Sequence, residues 1–362
     1  PTDALMIQTT ADLFDQTKPA TLGLNSISGE HTLLYRAINH EYRFCHHPSL
    51  SVFHERLFCC WSNGLTGEDE PRQRIMISST VDGQSWSEPT VLASSDDPKA
   101  ALVASGFHVT DDALVCYFST TYGDNFHEDV YLNAISSSDG RSWGDPVRIT
   151  SGFFIEGPRE LANGRLLLGG EYVGKRRLED GLRMRLLYSD EADGLSGWQE
   201  ANVMPDNPDD FQYTEPNVAI RPDGVPVVGF RSQTGHLFAS TTDDNGATWS
   251  SPAKTNFPDS TSRFFLRTLL RGTTMMINNP SATQYDRSVL ALSTSGDGIT
   301  FNRSVALRSN PATQAFGGNH KVDGWQYPNA LVWNEMLIVA YSISKEDIAV
   351  TRIPVDSLVK SS

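Results

Sequence analysis

The sequence predicts an all-β protein, a six-bladed β-propeller of four-stranded antiparallel blades with an N-terminal strand closing the last blade. Three observations carry this expectation. A short turn motif ending in an aromatic residue recurs along the 362 residues. Between its copies the same succession of short apolar strands returns, and no stretch of useful length shows a helical period.

The turn motif reads Thr80-Val-Asp-Gly-Gln-Ser-Trp86, Ser136-Ser-Ser-Asp-Gly-Arg-Ser-Trp143, Thr242-Asp-Asp-Asn-Gly-Ala-Thr-Trp249 and Ser295-Gly-Asp-Gly-Ile-Thr-Phe301. A worn copy runs from Ser189 to Trp198. The closing aromatics are spaced by 57, 55, 51 and 52 residues, the repeat of one stacked unit. Asp beside Gly favours a tight turn, because the carboxylate accepts local backbone N–H groups and Gly tolerates positive φ. Asp82, Asp139, Asp244 and Asp297 are therefore read as turn fasteners, not catalytic acids. Each aromatic is expected to tuck into the seam beside the next unit.

Taken in order, the strand Thr32-Leu-Leu-Tyr-Arg-Ala-Ile38 comes first and has no unit of its own. It is assigned, as segment 32–40, to the sixth blade, which otherwise runs out of chain. The blades are placed at about 44–95, 98–150, 151–205, 212–256, 262–309 and 324–358, in one propeller domain spanning 1–362. Cys59 and Cys60 lie side by side on a strand, so their side chains should point to opposite faces. Most of the four cysteines are read as small buried hydrophobes, with a Cys45 disulfide as the alternative.

The plan gives function a place, since innermost strands and one set of loops ring a mouth. The starts of the inner strands carry His46 and His47, Lys99, Glu156, Glu215, Arg263 and Tyr327. The loops after the second strands carry Glu68-Asp-Glu70, Asp124 to Asp129, Tyr172 to Arg177, Arg231, Asp286 with Arg287, and Lys345 with Glu346. Strand alternation allows only one of His46 and His47 to face the axis. Glu215 could equally form a structural ion pair with Arg231 or Arg263. Trp325 and Trp61 could stack on a flat ligand or simply fill the core.

The formal net charge of −15 argues against a nucleic-acid surface. No apolar run reaches the length of a membrane span. Ring closure demands no partner, so a monomer is expected. Asn302-Arg-Ser304 is a glycosylation sequon. The expectation is a secreted or periplasmic protein with any leader removed. No His, Cys or carboxylate spacing reads as a metal site, and no cofactor is expected.

Recurring Asp turns in a six-bladed plan resemble the sialidase superfamily over essentially the whole chain. The segment Thr214-Glu-Pro-Asn-Val-Ala-Ile-Arg-Pro-Asp-Gly224, leading to Gly229-Phe-Arg231, is similar to the stretch in which that family keeps an inner-strand glutamate and, some fifteen positions on, an arginine. Arg287, just before Val289-Leu-Ala-Leu-Ser293, falls where the family keeps another arginine. Tyr327 in Gln326-Tyr-Pro-Asn329 resembles its nucleophilic tyrosine. The resemblance implies an exo-acting glycoside hydrolase that removes a terminal acidic sugar from a glycan. Tyr327 would be the nucleophile and Glu215 its base. Asp69 would be the acid, with Glu68 and Glu70 as alternatives. Arg231 and Arg287 would clamp the substrate carboxylate, and Arg263, Glu156 and Trp325 would line the substrate.

The sequence departs from the family at the first blade. Phe44-Cys-His-His-Pro48 stands where sialidases carry the first of three arginines, so His46 replaces it. That histidine raises a rival reading, a uronate-directed lyase or a rhamnose-releasing propeller enzyme. Against this rival, no second histidine follows some twenty residues beyond His47. A glycan-binding propeller without turnover is the third reading.

Overall fold

The computed structural model describes residues 6–123, 126–201, 203–270 and 272–359. Its strands form six sheets in chain order, each built on four antiparallel strands, the blades of a six-bladed β-propeller. Asp124, named above in the loop of the second blade, lies outside the described residues. Among those residues no helix is long and apolar enough to cross a membrane.

The chain divides into two compact units. One holds residues 28–157 and those from 312 onward. It contains the sixth blade (Trp325–Trp333, Met336–Ile343, Asp347–Pro354), whose outer strand is Glu30–Tyr35. The N-terminal strand thus closes the last blade as the sequence predicted. The first blade follows (Phe44–Phe53, Arg56–Gly64, Arg74–Thr80, Thr90–Ala93), then the second (Ala101–Val109, Leu114–Thr121, Tyr131–Ser137, Val147–Ser151).

The other unit holds residues up to 27 and 158–311. Its third blade is Arg159–Glu160, Leu166–Glu171, Met184–Ser189 and Gln199–Ala201. The fourth is Asn217–Ile220, Pro226–Phe230, His236–Thr241 and Ala253–Pro258. The fifth is Phe265–Thr268, Thr274–Asn278, Leu290–Ser295 and Arg303–Arg308.

The second strands are buried on both faces, which is why they read as continuous apolar runs. The period of two survives within them. Leu57, Cys59 and Trp61 join one core cluster with Leu50 and Ile338, whereas Phe58 and Cys60 join another with Leu102 and Leu114. All four cysteines are buried free thiols, Cys45 included, so no disulfide forms.

The turn motif works as the sequence implied. Asp139 Oδ1 accepts from the N–H groups of Arg141 and Ser142, at 2.7 Å each, and Asp82 and Asp297 repeat the pattern. The worn copy keeps it through Asp193. These backbone donors hold the Asp139 and Asp244 carboxyls down at about 2. The aromatics differ from expectation in direction, because they pack toward the preceding blade. Trp143 packs on the cluster that blades one and two share, with Phe58 and Ile77 among its members, and Trp249 belongs to the one that blades three and four share, with Leu167 and Leu186. The adjoining glycine explains why. Gly140 has φ +69°, and a Cβ there would lie 2.5 Å from the Phe58 ring, so only glycine lets the turn close on the blade before it.

Polar stitches join successive inner strands. Asn329 Oδ1 accepts from Leu50 N at 3.0 Å, and Asn217 Oδ1 accepts from Leu266 N at 3.1 Å. Each asparagine stands two residues after a residue of functional interest, in Tyr327-Pro-Asn329 and Glu215-Pro-Asn217.

Candidate functional site

Each unit contains one cluster of buried polar side chains at the start of its inner strands. In the unit of blades six, one and two, the cluster gathers around His46, His47 and Tyr327. Pairing between Phe44–Phe53 and its neighbour slips between His46 and Ser49, and His47 has φ +51°. This bulge overturns the expectation that strand alternation separates the two histidines. Their rings come within 4.0 Å, centroid to centroid, and both are buried. The inner strand of blade six slips in the same way between Gln326 and Asn329, where Tyr327 has φ +57°. Its ring lies 4.7 Å from that of His47 and 5.7 Å from that of His46.

The loop after Arg56–Gly64 brings three acids, with different partners. Glu68 accepts from His46, its Oε1 lying 3.1 Å from Nδ1, and its other oxygen pairs with the Lys345 ammonium. Burial pushes the Glu68 carboxyl up, but Lys345 and His46 outweigh it and hold the group well below the usual carboxylate range. Asp69, with φ +54°, lies on the far side of the same imidazole, its Oδ1 3.8 Å from His46 Nε2. Gln73 secures it, accepting from Asp69 N and donating to Asp69 Oδ1, both at 3.2 Å. Glu70 accepts from Gly67 N and from Asn319 Nδ2, both at 3.0 Å, and serves the loop. Lys345 Nζ stands 5.0 Å from the centre of the Tyr327 ring.

The second cluster, in the other unit, surrounds Glu215. This residue stands two places before the start of the strand Asn217–Ile220, with φ +37°. Arg231 Nη1 donates to Glu215 Oε2 at 2.8 Å, and Arg231 N donates to Thr214 O, also at 2.8 Å. The ion pair weighed from sequence is therefore present, and both partners are buried. Arg263 and Arg287 are buried too, at 0 % and 2 % exposure.

Two carboxyls here escaped the sequence reading. Glu171 ends the strand Leu166–Glu171, accepts from Thr214 N and Glu215 N, and pairs with Arg177 at 3.3 Å. Burial raises it to about 7, against the pull of Arg177, and the Glu215 charge adds to the rise. Asp259 accepts from Ser262 N at 3.1 Å and from Asn278, and burial raises it to about 6. A charged residue closing the apolar run Leu-Leu-Leu-Gly-Gly-Glu171 was the available signal for the first.

Glu171 makes stability depend on pH. Its pKa in the folded state exceeds the ordinary 4.5, so its contribution is present below about pH 4.5 and is lost as pH rises through about 7. Relative to Glu171→Gln, the wild-type protein is expected to lose on the order of 2 kcal/mol between pH 5 and pH 8. Urea unfolding of both proteins at the two pH values measures this. An unchanged difference would contradict it.

Of the other residues named from sequence, Glu156 is buried beside Gly157, which itself packs against the backbone of Phe107. Trp325 is 4 % exposed and meets Tyr341 edge-on at 5.8 Å, and Trp61 is fully buried. Trp61 fills the core with Leu50 and Ile338.

One sequence signal for the site was missed. His47, Glu215 and Tyr327 all precede proline, at Pro48, Pro216 and Pro328. All three are buried in the left-handed region that side-chain-bearing residues rarely adopt. Such backbone costs about 1–3 kcal/mol per residue and clusters where function requires it.

The chain matches the BNR repeat-like domain over residues 55–339. No curated protein sequence matches it. Among solved structures, a sialidase superposes with a TM-score of 0.70 at 19 % identity, covering 96 % of this chain and 35 % of that one. The complex of Trypanosoma rangeli sialidase with sialic acid gives 0.68 at 15 %, covering 93 % and 61 %. A protein of unknown function from Dyadobacter fermentans gives 0.67 at 15 %, covering 91 % and 98 %. This chain thus spans about a third and about three fifths of the two sialidases' lengths, and at these identities what is shared is the fold. The family match covers most of the propeller, and the chain belongs to the BNR repeat-like family.

Proposed function

We propose that the protein is an exo-acting glycoside hydrolase that releases a terminal acidic sugar, with Tyr327 as nucleophile. The observation that carries this reading is the setting of Tyr327. A buried phenol on left-handed backbone is surrounded by His46, His47 and Lys345. An anomeric carbon bearing a carboxylate repels an anionic nucleophile, whereas a tyrosine stays neutral until a base takes its proton. Glu215 is the proposed base, and Asp69 the acid that protonates the leaving oxygen. On the resemblance drawn from sequence, Arg231 and Arg287 are the proposed clamp for the carboxylate, and Arg263, Glu156 and Trp325 proposed substrate contacts. The sialic acid bound to the T. rangeli enzyme is a sugar of this class.

A second reading has its own observation. Both histidines, not one, lie against Tyr327, which suits proton abstraction beside a uronate carboxylate. Products separate the readings. The protein is incubated with glycans capped by sialic, other ulosonic and uronic acids and by rhamnosyl-uronate, and the fragments are weighed. Hydrolysis of the ulosonic-acid caps, with fragment masses summing to the parent plus one water, is expected. Fragments summing to the parent would replace hydrolysis by elimination. Saturable binding without turnover across the panel would make the protein a lectin.

A further inference from the structure

We infer that His46, His47 and Glu68 form a binding site for a divalent transition-metal cation of the zinc class. The donor atoms of the three side chains all lie within 4.8 Å of one another. Two imidazoles and one carboxylate, with a further position left to water or substrate, is a donor set that such cations take. The separation of His46 Nδ1 from Glu68 Oε1 is 3.1 Å. Ligands about 2.0–2.1 Å from a tetrahedral zinc stand roughly 3.3–3.4 Å apart, so this edge needs little adjustment. The set is also enclosed, because both histidines are buried and the Glu68 side chain is 18 % exposed.

The surroundings suit a metal in two further ways. An imidazole that binds a metal through one nitrogen commonly offers its other N–H to a carboxylate, which fixes the ring. Asp69 Oδ1 stands 3.8 Å from His46 Nε2 and occupies that place. Lys345 holds the second oxygen of Glu68, leaving Oε1 as the ligating atom. The Lys345 charge does not forbid a cation, because its ammonium is paired with the other oxygen of Glu68. The bulge at His47 acquires a purpose as well. On a regular strand adjacent histidines diverge, and only the slipped pairing turns both rings to one side.

The cation would lie beside the Tyr327 ring, which is 4.7 Å from His47. Its use there rests on the hydrolase reading: it would supply positive charge to the substrate carboxylate where His46 replaces an arginine. Metal binding itself does not depend on that reading and is tested without substrate.

Untagged protein is stripped with a chelator, dialysed and titrated with Co²⁺ under visible absorption, and with Zn²⁺ by calorimetry. One equivalent per chain is expected, with the intense visible bands of four- or five-coordinate cobalt and a rise in Tm. His46→Ala, His47→Ala and Glu68→Gln are each expected to weaken binding at least 100-fold, and Asp69→Asn about 10- to 100-fold. His127→Ala, on an exposed loop, leaves binding unchanged. Circular dichroism checks that every variant is folded. Uptake below a fifth of an equivalent by folded wild-type protein overturns the site. So does cobalt binding that survives the double change His46→Ala/His47→Ala. A protein that binds zinc but cleaves no glycan would keep the site and lose the hydrolase reading.

Discussion

Tyr327→Phe is expected to lower turnover about 10⁴-fold while the protein stays folded and still binds its glycan. The substitution removes one hydroxyl and keeps the ring that contacts His47 and His46. The packing at the bulge therefore survives, and the stability change should stay near 1 kcal/mol, the usual worth of one hydrogen bond. Loss of a covalent nucleophile acts almost wholly on kcat, because no other atom forms the bond. Single-turnover kinetics with the sugar identified by the product experiment, beside equilibrium binding to the same sugar, separates the two quantities. More than a tenth of wild-type turnover would remove Tyr327 from the role. A loss of binding equal to the loss of rate would make it a binding residue instead.

The fold was legible because its determinants are local and repeated. Each Asp turn closes on its own backbone, so Asp82, Asp139 and Asp297 could be assigned without knowing what lay beside them. What the turns touch was less legible. The direction of Trp143 follows from the contact of Gly140 with Phe58 in the preceding blade, a contact between residues far apart in sequence. The site failed in a more specific way. Strand alternation is a sound rule for a regular ladder, and Leu57 to Trp61 obeys it. His46 and His47 break it because the ladder slips at that point. The proline after His47 marks the slip, as the proline after Tyr327 marks another, and Glu215 before its proline shares the left-handed backbone. Reading those three prolines together would have put both histidines on one side and suggested the metal ligands. Asp259 stayed hidden because it follows a polar strand and only its partners Ser262 N and Asn278 mark it, whereas Glu171 had a signal in the apolar run it closes.

Arg231→Met is expected to be the most destabilising single change at the second cluster, costing about 3–5 kcal/mol at pH 8. Glu215 would be left buried without the guanidinium that now donates to it at 2.8 Å. Contact between Arg231 and the Tyr213 ring, 5.0 Å away, would be lost as well. Asp259 makes the loss worse, because burial already raises it to about 6 and Arg231 is among the groups holding it down. Removing the cation raises it further. A raised carboxyl pKa contributes stability at low pH and loses it as pH climbs through the folded value, so the deficit should be smaller at pH 5 than at pH 8. Adding Glu215→Gln to Arg231→Met should recover much of the loss, since the uncompensated charge, more than the missing contact, carries the cost. Unfolding of the two single variants, the double variant and the wild type at both pH values forms the cycle. If the double variant is no more stable than Arg231→Met at pH 8, the arginine acts by packing, and the ion pair is not what holds this cluster together.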